Sequence, residues 1–128
     1  PWFKRMEKYL DTGIMCNEDF NGTRPGDALS VGGCIFANRD KFFESGGENE
    51  NMVSWGPEDL ERVHRWEKLG YTVKRIKGML FHLDHQTGAN SSGRNPHFKK
   101  NNREYDRIQA MSRQELIDYV KSWKNVQR

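Results

Sequence analysis

At 128 residues, with 34% apolar and 30% charged side chains, the chain can form one domain at most and bury only a modest core. Its net charge of +3 is spread over interspersed Lys, Arg, Asp and Glu, which argues against a nucleic-acid-binding face. The sequence has no long apolar run and no charged-then-apolar leader, which excludes a membrane span and a signal peptide within it. A mean hydropathy of -0.99 and a start at Pro1-Trp2 make it read as an excised piece that expects a partner.

In chain order, Trp2, Met6, Tyr9 and Leu10 recur at helical spacing and predict a short helix over residues 2–10, closed by Asp11-Thr12-Gly13. Residues 14–27 are rich in Asn, Asp, Gly, Arg and Pro and read as a loop. Residues 29–37 are apolar and β-branched enough for a buried strand, and the pair Gly32-Gly33 inside it suggests close approach of a ligand or backbone. Asn38 caps a predicted helix over residues 39–44 with Phe42 and Phe43 inward, stopped by Ser45-Gly46-Gly47. The polar residues 48–53 read as mobile.

A helix over residues 57–69 follows, with Leu60, Val63, Trp66 and Leu69 on its expected buried side and Gly70 as its stop. Residues 71–76 alternate with period two, and residues 79–83 form a second candidate strand. Residues 84–95 are rich in Gly, Asn, Ser and Thr and read as a long functional loop. A helix from Asn95-Pro96 to about Met111 is expected to turn Phe98, Tyr105 and Ile108 inward. The capping box Ser112-Arg113-Gln114-Glu115 opens a last helix that buries Leu116, Val120 and Trp123.

The stretch with most chemical content is Ser54-Trp55-Gly56-Pro57-Glu58-Asp59. It sets an aromatic ring and a carboxylate pair at the mouth of a helix. Acids in a first turn also serve plain end-stabilisation. A Trp flanked by Gly, outside any apolar period, instead suits a sugar ring, which stacks on an apolar face while carboxylates accept its hydroxyl hydrogens. His82 ends an apolar strand and faces the Gly-rich loop, where an imidazole can reach a metal or a phosphate; a hydrogen-bonded structural His is the alternative. His64 and His97 read as solvated. Cys16 and Cys34 have neither metal-site spacing nor the density of a disulfide scaffold and read as free thiols of a reducing compartment. No phosphate-cradling loop, nucleophile elbow or Cys-His set is present.

The order Gly32-Gly33-Cys34-Ile35-Phe36-Ala37, Lys41-Phe42-Phe43, Gly46-Gly47, Trp55-Gly56-Pro57-Glu58-Asp59, Gly70-Tyr71-Thr72-Val73, Met79-Leu80-Phe81-His82 and Arg103-Glu104-Tyr105-Asp106-Arg107-Ile108 resembles the C-terminal half of GT-A glycosyltransferases. The β-galactosyltransferase group is closest, and the His-Leu-Asp-His run before an Asn- and Ser-rich loop is similar to bacterial capsule or surface-polysaccharide transferases. The resemblance implies an α/β fold, with a small mixed sheet flanked by helices. Residues 1–128 would be one C-terminal, acceptor-side fragment whose N-terminal nucleotide-binding half is absent, inactive alone and prone to non-native self-association. It implies transfer from a UDP-sugar to a saccharide acceptor with manganese, with inversion, at a cytoplasmic site that extends at most to the inner face of a membrane. Asp59 then matches the general base, and Glu58 and Trp55 match acceptor-binding residues. By the same resemblance Gly32 and Gly33 match a Gly pair beside the donor sugar, His82 matches a metal ligand, and residues 83–96 match a lid. Pro57 and Leu60 depart from the galactosyltransferase motif, so that group's particular sugar preferences do not carry over. A non-catalytic carbohydrate-binding module is the alternative that the residues leave open.

Overall fold

A computed structural model describes residues 35–74, 86 and 88–123, all of which fall in one compact unit, Val31–Lys74 with Leu83–Arg128. The helix over residues 2–10, the loop over 14–27, the strand over 79–83, Cys16, Cys34, Gly32, Gly33 and His82 lie outside the described residues. Among those described, 56% are helical and none is in a strand, so the expected α/β fold with a small mixed sheet is corrected to a helical unit. Ile35 to Ala37 and Tyr71 to Lys74, which the sequence reading assigned to strands, are irregular. Burial still alternates from Tyr71 to Lys74, yet a strand also requires a second backbone to share its ladder bonds, and none of the described residues supplies one.

Helix α1, Arg39–Glu44, starts as its sequence dictates: the Asn38 side chain accepts from the Asp40 and Lys41 amides, each at 3.1 Å. Phe42 meets Trp66 edge-on at 6.3 Å, whereas Phe43, expected inward, is exposed. Residues 48–53, expected mobile, are pinned. Asn49 is buried, its side chain accepts from the Asn51 amide, and its Nδ2 donates to Glu104.

Helix α2, Glu58–Leu69, carries acids in its first turn and Lys68 in its last, and Gly70 closes it in a left-handed conformation with φ 98°. Its buried face is not the apolar one expected. Glu61, Arg62 and Arg65 are buried while Leu60 is exposed. Unpaired carbonyls explain this inversion: Arg65 donates to Ser45 O and Gly47 O of the turn after α1 and to Glu61 at 2.7 Å. No apolar side chain could satisfy those groups.

Helices α3, Phe98–Ala110, and α4, Arg113–Lys121, pack on α2 and on the core, whose buried members are Ile108, Leu116, Val120 and Trp123. The capping box forms as read, with the Ser112 amide donating to Glu115 at 2.7 Å and the Glu115 amide to Ser112 at 3.3 Å. No helix among the described residues is long and apolar enough to cross a membrane.

Candidate active site

The turn before α2 is built around Asn101. This side chain is fully buried; its Oδ1 accepts from the Val53 amide at 3.1 Å, and its Nδ2 donates to Val53 O at 2.8 Å and Trp55 O at 3.3 Å. Asn95, also buried, donates to Trp55 O at 2.7 Å and to Ser92 O at 3.0 Å. From the facing 3₁₀ turn, Ala89–Ser91, the carbonyl of Asn90 accepts from the Trp55 amide at 3.2 Å and from Ser54 Oγ at 2.6 Å. These bonds hold Ser54 at φ 63°, a left-handed conformation that a non-glycine residue rarely takes. The described part of the segment expected as a lid is therefore folded against the Trp55 turn.

The Trp55 ring stacks on Phe98 with centroids 5.4 Å apart and planes 17° apart, and it remains 43% exposed. An aromatic ring so buttressed presents a fixed apolar surface to solvent. Glu58 and Asp59 follow in the first turn of α2, as the sequence placed them, with Pro57 at the N-cap and no side-chain cap. Glu58 Oε2 is buried with no hydrogen-bond partner among the described residues. Asp59 is 40% exposed at its side chain and accepts from Arg62 Nη2 through Oδ1. Arg62 Nη1 in turn donates to both oxygens of Glu48, each at 2.7 Å.

Glu61, two residues after Asp59, serves a different purpose. Burial pushes its carboxyl above the usual range against the pull of Arg65, and it is sealed at 1% exposure. His64 is not merely solvated: its Nδ1 lies 2.7 Å from Tyr105 Oη and 3.1 Å from Gln109 Nε2, tying α2 to α3.

The structure thus brings Trp55, Glu58 and Asp59 together at one junction. It says nothing of Gly32, Gly33 or His82, which lie outside the described residues. Among the described residues no group of three or more His, Cys, Asp or Glu could hold a metal ion. The sequence marks none of Arg62, Glu48, Asn95 and Asn101 as part of the site, and marks Phe98 only as an inward-facing aromatic. Arg62 carried a signal of its own, standing three residues after Asp59 on the same helix face.

The family described as the N-terminal domain of galactosyltransferase matches residues 13–86, a span that contains all six residues assigned from the resemblance. The protein named Probable N-acetylgalactosaminyltransferase 9 of Caenorhabditis elegans is 35% identical over 91 residues, covering 65% of this chain and 15% of its own length. The chain thus spans a small part of that relative. No solved structure matches it. With more than half of its residues matched around the Trp55, Glu58 and Asp59 junction, the chain belongs to this galactosyltransferase domain family.

Proposed function

We propose that this unit carries the acceptor-side part of a glycosyltransferase. The parent moves a galactose or N-acetylhexosamine type of sugar from a UDP-sugar to a saccharide acceptor. Family membership and the relative's name support the class of reaction. The observation that carries the site assignment is the exposed Trp55 ring, held flat against Phe98 and followed four residues later by the part-exposed Asp59 carboxylate. A sugar ring can stack on such a fixed apolar surface while an exposed carboxylate accepts its hydroxyl hydrogens.

Asp59 acts as the general base. Arg62 engages Oδ1, and no bond to Oδ2 is formed among the described residues, so this second oxygen can take the proton of the attacking hydroxyl. The acceptor oxygen bonds to the anomeric carbon as the bond to the diphosphate breaks, with inversion and with the proton left on Asp59. Manganese is part of the reading because a divalent ion neutralises the charge of a leaving diphosphate. His82, its expected ligand, lies outside the described residues. The metal requirement is checked by chelation and restoration with manganese.

The test is Asp59→Asn in the full-length protein, assayed with UDP-sugar donors and saccharide acceptors. The expected result is a loss of kcat of about a hundredfold or more with the circular dichroism spectrum unchanged. Near-normal turnover defeats the assignment, and acceptor binding without transfer by the unaltered protein points to a binding module instead.

A further inference from the structure

Arg62 belongs to no motif, yet its contacts are unusual for a helix-surface arginine. Its side chain is 8% exposed, whereas its two acidic partners, Glu48 and Asp59, are 54% and 40% exposed. The cation sits behind the carboxylates and both acids reach solvent. Both terminal nitrogens are engaged, Nη1 on both oxygens of Glu48 and Nη2 on Asp59 Oδ1, while Nε is buried with no partner among the described residues. An arginine recruited only to pair with a neighbour one turn away would stay at the surface, where no N–H is orphaned. This one leaves Nε unpaired and gains an end-on bridge between a loop acid and a helix acid.

We infer that Arg62, anchored by Glu48, is the positioning residue that aims Asp59 at the acceptor hydroxyl; the inference rests on Asp59 being the base. The planar fork fixes the rotamer of Asp59 by holding Oδ1, which directs Oδ2 outward. Glu48 has a second task. One guanidinium between two carboxylates leaves the trio with a net single negative charge, so Arg62 orients Asp59 without cancelling it. Lysine cannot replace it here, because an ammonium lacks the two-pronged plane that spans both acids.

The experiment is a mutant cycle in the full-length enzyme, with kcat and acceptor KM measured for Arg62→Lys, Glu48→Gln, Asp59→Asn and the double variant Arg62→Lys/Asp59→Asn. Arg62→Lys should lower kcat by about tenfold to a hundredfold with acceptor KM little changed, as expected for a misaimed base. Glu48→Gln, altered at an exposed loop side chain that leaves the core untouched, should lower kcat in the same direction. In the Asp59→Asn background, Arg62→Lys should cost nothing further, because there is no base left to aim. Losses that multiply in the double variant, or normal kcat in both Arg62→Lys and Glu48→Gln, overturn the Arg62 assignment. Full activity of Asp59→Asn overturns the base assignment itself, and the two failures are told apart by that variant alone.

Discussion

Asn101 fixes more of the candidate site than any charged residue does. One amide side chain closes both polar groups of Val53 and adds a bond to Trp55 O, so the aromatic platform is held by a group that itself never meets solvent. Gly56 owes its identity to this clamp: a Cβ there would lie 2.8 Å from Asn101 Cβ and 2.9 Å from its Nδ2. Asn101 is bonded on both of its polar atoms and cannot move aside. Gly56→Ala should therefore destabilise the unit by about 2–3 kcal/mol, read as an earlier urea midpoint. A midpoint equal to that of the unaltered chain would show that the turn can shift. Trp55, Glu58 and Asp59 were legible in the sequence because Gly and Pro isolate them from any apolar period. Asn101 and Arg62 were not, since a polar residue within a helix reads as solvated until a neighbouring backbone demands its donors.

At the scale of elements, helix ends were legible, and so were the buried faces of α3 and α4 with Ile108, Leu116 and Val120, but the buried face of α2 was not. Asn38, Gly70 and the Ser112 to Glu115 box mark termini by local chemistry that needs no tertiary partner. The buried face of α2 depends on carbonyls contributed from elsewhere in the chain, and so its apolar pattern misled. The same logic joins the helix ends to one another. Lys68, in the last turn of α2, donates to Ile108 O, Gln109 O and Met111 O at 3.0, 2.7 and 2.9 Å, capping the C-terminus of α3. Arg113 returns the favour, donating to Leu69 O at 2.9 Å. Lys68→Met should cost about 2 kcal/mol, because it removes both the ammonium charge at a helix C-terminus and the donors for three carbonyls. Urea unfolding checks it, and no change would mean that water replaces the lysine without penalty. The absence of a sheet among the described residues has a different cause: burial alternates from Tyr71 to Lys74, but pairing is a property of two strands.

Across the whole unit, Tyr119 gathers separate segments. Its hydroxyl donates to Glu104 at 2.6 Å and accepts from Asn51 and Arg107, each at 3.3 Å. Burial, reinforced by the bond to Glu104, pushes the phenol up to about 12 from its ordinary 10.0. The folded state thus holds this proton more tightly than the unfolded chain. Its contribution is complete below pH 10 and fades as the pH rises through 12. Thermal unfolding should show a fall in midpoint over that interval that is smaller in Tyr119→Phe, since Tyr71 and Tyr105 are also raised by burial; an undiminished fall in the variant would assign it to other groups. The interior ion pair has a different consequence. Glu61 and Arg65 are 2.7 Å apart and at most 1% exposed, so mobile counter-ions cannot reach between them. Debye screening, which shrinks to about 3 Å at molar ionic strength, acts on charges bathed by electrolyte. Arg65, so paired, should keep its bonds to Ser45 O and Gly47 O as firmly in brine as in dilute buffer, while the Glu48 and Asp59 rim loosens.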